Sequence, residues 1–99
     1  MHQIRELAHG IHDLPQYDTT DFRAFAVRLA AHETRLPIAR SAETLLIVID
    51  GRLTVIWCDA TTMPTKLGER DSALTNPPAT AALLAGSDGA TFLAMLSRA

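Results

Sequence analysis

The chain of 99 residues is long enough for one domain that folds alone and too short for two. Its hydrophobic fraction of 47% and charged fraction of 20% are those of a globular protein rather than a disordered one. The net charge of -2, without a cluster of Lys or Arg, argues against nucleic acid as a partner. No apolar run approaches the roughly 20 residues that span a bilayer, and the N-terminus lacks a signal peptide's apolar region. We therefore expect a cytosolic protein that does not enter a membrane.

Residues 1–16 form a lead segment ahead of the main domain. In residues 3–9 the apolar side chains recur at helical spacing, and Gly10 supplies a stop signal. This pattern predicts a short N-terminal helix or a covering turn. Residues 13–21 are rich in turn-forming side chains and predict an irregular connection.

Two alanine-rich segments fit either a helix or a strand. In residues 22–31 the preceding aspartate would cap a helix, whereas Phe25, Val27 and Leu29 alternate as in a strand. Residues 76–86 begin with Asn-Pro, which is typical of a capped helix start, and end in glycine. Local propensity alone favours helix in both segments, so only the tertiary context decides.

The strongest local signal lies in residues 43–59, where two runs of β-branched and large aliphatic residues flank the pair Asp50-Gly51. Because Asp-Gly tolerates positive φ angles, this pattern predicts a β-hairpin with a tight turn at that pair. Ser-Asp-Gly at residues 87–89 predicts another turn before a terminal strand at residues 90–96. Short strands between turns predict a sandwich or barrel, with the terminal strand as an edge where another chain would pair.

The order of these features resembles a cupin, the small all-β jelly roll. Tyr17 and a turn lead to Phe22 and an alternating strand, and a later aliphatic strand ends in the acidic-Gly pair at residues 50–51. A Gly-Glu turn at residues 68–69 then precedes a strand and a Pro-containing loop, and the segment at residues 81–94 resembles the closing hairpin of the domain. The resemblance is closest to the C-terminal cupin domain of type I mannose-6-phosphate isomerases.

This resemblance covers residues 17–96 and implies a single cupin-like domain over residues 1–99. It also implies that residues 22–30 and 79–85 are strands, because pairing within the jelly roll overrides their helical propensity.

A metal-binding cupin carries a His-x-His pair, a Glu a few residues later, a Gly seven residues after the Glu, and a His after the Pro loop. With Gly51 as that glycine, other residues stand at every ligand position: Thr44 for the glutamate, Ile38 and Arg40 or Pro37 and Ala39 for the paired histidines, and Ala82 or Leu83 for the last histidine. The resemblance therefore implies a domain without a metal or other cofactor. In the isomerases, the zinc and the catalytic residues belong to the N-terminal domain, so no catalytic residue is carried over.

Other histidines and carboxylates form weaker metal candidates. His9 and His12 lie close together in the sequence, and His32, Glu33 and Glu43 would form a displaced set if the fold brought them together. The simpler interpretation is a solvated N-terminal segment and a polar loop at the rim of the barrel.

Arginines and the single tryptophan are the candidate ligand-binding residues. Arg28, Arg40, Arg52 and Arg70 would each offer a planar fork of donors to the oxygens of a sugar phosphate. Four arginines scattered over four elements also fit an ordinary soluble surface. Trp57 in the second β run fits either packing in the core or stacking against a ligand.

We therefore expect a non-catalytic, metal-free accessory, binding or assembly domain of the kind found in mannose-6-phosphate isomerase. The expected partners are a catalytic isomerase domain, a second copy of the chain paired through an edge strand, or a small sugar phosphate. Two alternatives stay open: a stand-alone cupin that binds a small molecule as a sensor, and a small metal-dependent enzyme with a non-standard metal site.

Overall fold

The computed structural model describes residues 5–8, 10–36, 43–59, 61–75 and 79–97. These residues form eight strands in antiparallel pairs, and a single 3-10 turn, Pro15–Tyr17, is the helical structure among them. The strands are β1 (Arg5–Ala8), β2 (Ile11–Asp13), β3 (Phe22–Leu29), β4 (Thr34–Arg35), β5 (Thr44–Trp57), β6 (Thr65–Leu67), β7 (Ser72–Thr75) and β8 (Thr80–Ser97). The all-β prediction is confirmed, and no helix in the described part of the chain is long and apolar enough to cross a membrane.

Two long strands, β5 and β8, pair along their whole length and organise the fold. The first part of β5 and the last part of β8 lie between β7 on one side and β3, β2 and β1 on the other. We call this six-stranded region the wide half. The last part of β5 and the first part of β8 lie between β6 and β4. We call this four-stranded region the narrow half.

The predicted hairpin at Asp50-Gly51 is wrong, because β5 continues through this pair without reversing. Its register against β8 shifts on both sides of the pair, so the two residues form a bulge between the wide and narrow halves. Gly51 takes the positive φ of +79° that the Asp-Gly signal predicted. The Asp-Gly pair therefore predicted the backbone conformation correctly. In the structure, this conformation forms a bulge in β5 beside its long partner strand β8 instead of a turn.

The turn predicted at residues 87–89 and the closing hairpin are wrong for the same reason, since these residues lie inside β8. Gly89 also has a φ of +79°, and its carbonyl oxygen occupies the space that a side chain on Gly51 would need. The two glycines therefore face each other at the bulge, where the close approach of β5 and β8 excludes a Cβ atom.

Both ambiguous segments are strands where they are described, as the cupin resemblance implied. β3 pairs with β8 from Phe22↔Ser97 to Leu29↔Ala90, so backbone pairing overrides the helical propensity of alanine. The same pairing corrects another prediction. Residues 90–96 are not an edge strand, because β3 lies on one side of them and β5 on the other.

The predicted N-terminal helix is also wrong where it falls on described residues, because Arg5–Ala8 is a strand that pairs with β2. The irregular connection predicted for residues 13–21 is confirmed from Leu14 onward, where the 3-10 turn is followed by bends at residues 20 and 21, whereas Asp13 belongs to β2. Helical spacing in so short a segment is weak evidence for a helix, because a helix of this length is not stable in water without tertiary packing. Pairing with β2 instead supplies hydrogen-bond partners for the backbone of this segment.

The core consists of the inward-facing side chains of β3, β5 and β8, closed by β6. Alternation along each strand sends every second side chain inward, as a half-buried sheet requires. The buried cluster is Phe25, Val27, Leu29, Leu46, Val48, Leu53, Val55, Leu67, Leu83, Ala85, Ala90, Phe92 and Ala94.

Candidate functional site

The positions that the cupin resemblance assigns to metal ligands hold, where they are described, side chains that are poor ligands or no ligands at all. Thr44, which the resemblance assigns to the place of the glutamate, is only 5% exposed and lies on the inward side of β5. Its carbonyl oxygen accepts a hydrogen bond of 3.0 Å from the hydroxyl of Thr75, which is equally buried. Leu83, near the place of the last histidine, belongs to the apolar core.

A divalent metal in a cupin needs converging imidazole and carboxylate groups. A neutral threonine hydroxyl and an aliphatic side chain do not supply them, so these residues do not fit the cupin metal. The positions of the paired histidines, at Ile38 and Arg40 or at Pro37 and Ala39, lie outside the described residues.

The displaced metal candidates lie at the borders of strands. His32 is exposed in the turn between β3 and β4, and Glu43 is exposed beside the first residue of β5. The carboxylate of Glu33 forms an ion pair with Arg35 and accepts a hydrogen bond of 3.0 Å from the backbone N–H of Ala30.

These contacts give Glu33 a role in closing the turn. Among the described residues, no group of three or more His, Cys, Asp or Glu side chains would hold a metal ion. His12 lies on β2, whereas His9 lies outside the described residues. A displaced metal site therefore stays a prediction.

The candidate arginines lie on different elements. Arg28 is exposed near the end of β3. Arg70 is exposed in the turn between β6 and β7, where its backbone N–H donates a hydrogen bond of 2.9 Å to Val48. Trp57 lies nine residues beyond Val48 on β5, which corresponds to about 30 Å of extended strand. Trp57 and Arg70 are therefore far apart along β5, and Arg40 lies outside the described residues.

Trp57 packs against the core, which is one of the two roles that the sequence left open, and stacking against a ligand stays a prediction. Its ring packs against the core cluster, and its indole N–H donates a hydrogen bond of 3.0 Å to the hydroxyl of Thr65 on β6. The residue also lines an open, mostly apolar cavity of about 530 Å³ at the end of β5, together with Cys58, Asp59, Thr62 and Ala79. The tryptophan is thus held in place by the sheet while it borders a space large enough for a small molecule.

The carboxylate of Asp59 at the rim of this cavity is committed to the loop around it. The backbone N–H and the hydroxyl of Thr61 donate hydrogen bonds of 2.9 and 2.8 Å to one oxygen, and the hydroxyl of Thr62 donates one of 3.0 Å to the other. These donors, chiefly those of Thr61, lower the pKa of Asp59 below its ordinary value. Asp59 is therefore a structural anion that orders the loop, not a proton donor at neutral pH.

A second feature, which the sequence did not predict as a unit, lies around Arg52 on the outside of the narrow half. One open cavity joins Arg52 to Lys66 and Ser87, and a neighbouring one joins it to Asp50, Glu69 and Asp88. Only the pairing of β5 with β6 and β8 brings these residues together. The first cavity is lined by two cations without a carboxylate, whereas the second is lined by three carboxylates and Arg52, so the two cavities have opposite charge.

No family model matches the chain, and no curated protein matches it. Several solved structures do match the chain in fold. KdgF from Halomonas sp. superposes with a TM-score of 0.74 at 15% identity, over 99% of this chain and 89% of that protein. Oxalate decarboxylase from Bacillus subtilis gives a TM-score of 0.72 at 17% identity, over 88% of this chain but only 24% of the longer one.

The cupin domain of Cnp3 from Schizosaccharomyces pombe gives a TM-score of 0.67 at 9% identity, over 88% of this chain and 60% of that one. Identities this low are evidence for the fold alone. The shared architecture, together with the two long bulged strands and the apolar interior, identifies this chain as a protein of cupin fold.

Proposed function

We propose that this chain is a non-catalytic cupin domain that binds or assembles with a partner, in the manner of the C-terminal domain of mannose-6-phosphate isomerase. The observation that supports the proposal is that Thr44 and Leu83, to which the cupin resemblance assigns the positions of a carboxylate and an imidazole, are a buried threonine and an apolar core residue. The order of the apolar runs in the sequence of residues 17–96 supports the likeness to the isomerase domain.

The packing of the interior gives further support. The largest fully buried side chains include Phe92, Leu53 and Val55, which all belong to the apolar core cluster. A ligated metal in such surroundings would need polar groups around its ligands to orient them. The buried polar side chains among the described residues are Thr44 and Thr75, and their hydrogen bond uses the hydroxyl of one and the backbone carbonyl of the other.

Metal content tests this proposal. The chain is expressed in medium supplemented with zinc and manganese, purified without chelator, and examined by elemental analysis and by thermal unfolding with and without EDTA. We expect far less than one metal ion per chain and the same unfolding midpoint in both buffers. A bound ligand at about 100 times its dissociation constant would add about 2.7 kcal/mol to the stability.

One ion per chain, with a midpoint that falls in EDTA, would overturn the proposal and favour the metal-dependent enzyme. The variant His32→Ala then distinguishes a metal bound at the cupin motif positions from a metal bound by the displaced set. Loss of the ion in this variant would point to the displaced set of His32, Glu33 and Glu43.

A second candidate function, binding of a small molecule, is favoured by the cavity beside Trp57. Concave and mostly apolar surfaces with a few polar groups are the usual form of small-molecule sites. Because Trp57 is the single tryptophan, its fluorescence reports on this cavity directly. Titration with mannose 6-phosphate and fructose 6-phosphate should change the emission if either compound binds there. An unchanged emission together with a rise in the unfolding midpoint would place the ligand elsewhere.

A further inference from the structure

The cavity beside Trp57 has walls that the fold holds in place. The backbone N–H of Cys58 donates a hydrogen bond of 2.7 Å to the carbonyl oxygen of Ala79, which extends the pairing of β5 and β8 to the cavity. The indole of Trp57 is fixed by its hydrogen bond to Thr65, and the loop on the other side is ordered by the hydrogen bonds to Asp59. A cavity of about 530 Å³ with fixed walls has the size of a small-molecule site.

The charge along the lining of this cavity has one sign. Asp59 is the charged residue among the described residues that line it, and it is an anion at neutral pH because its pKa is lowered by the donors of Thr61. Residues 60 and 76–78, which adjoin the lining in the sequence and lie outside the described part of the chain, are uncharged. Lys66 follows Thr65 on β6 but lines the cavity around Arg52. The cavity beside Trp57 therefore repels a phosphate or a carboxylate and attracts a cation.

Trp57 adds an aromatic surface of the kind that binds cations. The electron-rich face of an indole ring attracts a cation that lies within about 6 Å of the ring centre. Among the described residues, the cation that lies over an aromatic ring is Arg23, at 4.9 Å from the centre of the Phe25 ring. In the part of the chain that the structure describes, no side chain of this kind covers Trp57. A ligand cation in the cavity would therefore meet both the indole ring and the carboxylate of Asp59.

The hydrogen bonds of Asp59 indicate which kind of cation fits. A carboxylate has about four acceptor positions, and donors of Thr61 and Thr62 already occupy three of those of Asp59. A primary ammonium would leave water for a cavity with few acceptors for its three N–H groups, which costs free energy. A fully alkylated ammonium has no N–H groups, and its methyl groups suit the mostly apolar walls. The carboxylate then acts through its charge alone.

We infer that the cavity beside Trp57 binds a small organic cation whose nitrogen is fully alkylated, attracted by the indole ring and by the carboxylate of Asp59. This inference rests on the second candidate function, binding of a small molecule, and names the class of ligand. It also implies that mannose 6-phosphate and fructose 6-phosphate do not bind at this cavity, because their phosphate groups would face an anion without a compensating cation.

The test compares three compounds of nearly the same shape by the fluorescence of Trp57 in the full chain. Choline carries a trimethylammonium group, 3,3-dimethylbutan-1-ol carries an uncharged tert-butyl group in its place, and ethanolamine carries a primary ammonium. Each is added from about 0.1 to about 50 mM at constant ionic strength, because one ring and one exposed carboxylate give weak binding. We expect a saturable change with choline, with a dissociation constant at least about fivefold lower than those of the other two compounds.

The variant Asp59→Asn removes the charge and keeps an oxygen that accepts the hydrogen bonds of Thr61. It should raise the dissociation constant of choline about fivefold and leave that of 3,3-dimethylbutan-1-ol unchanged. The matched control is Asp88→Asn, which makes the same change at an exposed residue that lines the cavity beside the bulge, and it should bind choline as the wild type does. Urea unfolding establishes whether each variant is folded. If Asp59→Asn does not fold, the comparison of the three compounds on the wild type still decides.

Several outcomes would overturn the inference. Equal affinity for choline and 3,3-dimethylbutan-1-ol would show that charge plays no part, and tighter binding of ethanolamine would exclude the preference for a fully alkylated nitrogen. Equal weakening of choline binding in Asp59→Asn and Asp88→Asn would place the cation elsewhere. A response of Trp57 to mannose 6-phosphate without one to choline would overturn the inference and leave the second candidate function standing. No saturable response to any of these compounds would contradict both.

Discussion

Gly51 and Gly89 shape the bulge between the wide and narrow halves. Both have φ angles of +79°, which L-amino acids with a side chain rarely adopt. A Cβ atom on Gly51 would overlap the carbonyl oxygen of Gly89, and one on Gly89 would lie 2.6 Å from the carbonyl oxygen of Leu29. Three strands thus approach one another at this point, which is possible only because two of the residues are glycine.

We predict that Gly51→Ala lowers the free energy of unfolding by about 2 to 4 kcal/mol, since it combines an unfavourable φ with a backbone clash. Urea unfolding followed by Trp57 fluorescence measures the change. The control is Gly68→Ala, whose added Cβ would meet nothing closer than the carboxylate of Asp71 at 3.6 Å and whose φ is not positive. Equal losses of unfolding free energy in both variants would show that the positive φ and the close backbone approach at Gly51 add no cost.

Each of the long strands β5 and β8 pairs with different strands in the wide half and in the narrow half. Leu53 lies just beyond the bulge on β5, pairs with Leu67 on β6 and with Ala85 on β8, and has an exposure of 0%. Its side chain therefore joins three strands of the narrow half to the common core. If Leu53 is shortened, β5 therefore loses side-chain contacts with both β6 and β8.

We predict that Leu53→Ala costs about 2 to 5 kcal/mol of unfolding free energy, because it removes apolar contacts and leaves a cavity. Leu36→Ala makes the same chemical change at a residue that is 58% exposed and should cost less than about 0.5 kcal/mol. Chemical denaturation of the two variants beside the wild type gives both values. A small loss in Leu53→Ala would mean that the core closes around the missing atoms.

The sequence predicted which segments are strands better than it predicted how they connect. The aliphatic runs of β5 indicated a strand correctly, the alternation in β3 was compatible with a strand, and the Asp-Gly pair indicated a positive φ. The sequence did not predict that β5 passes through this pair, because a tight turn and a bulge both require a residue with a positive φ. The candidate site was partly predictable, since Trp57 was identified but its cavity partners Thr62 and Ala79 come from other segments.

The whole molecule is held together by pairing between the ends of the chain. β3 near the N-terminus pairs with the last residues of β8, and β5 lies on the other side of them. The radius of gyration of 12.9 Å agrees with the roughly 13 Å expected for a compact chain of this length. Closing such long loops before the pairing stabilises them slows folding.

We predict folding in milliseconds to seconds, as for other domains dominated by long-range strand pairing. Stopped-flow dilution from urea, followed by the fluorescence of Trp57, measures the rate at several protein concentrations. Relaxation within microseconds would contradict this prediction, because it would require a nucleus made of local contacts.

The sequence by itself determined the all-β class and the strand character of β5, because alternation and residue type are local properties. Only the tertiary structure decided whether the alanine-rich segments are strands, whether Asp50-Gly51 is a turn or a bulge, and which strands lie at the edges. In each case the deciding factor is a partner strand from a distant part of the chain. Its hydrogen bonds are worth more than the local preference, and no short window of sequence contains them.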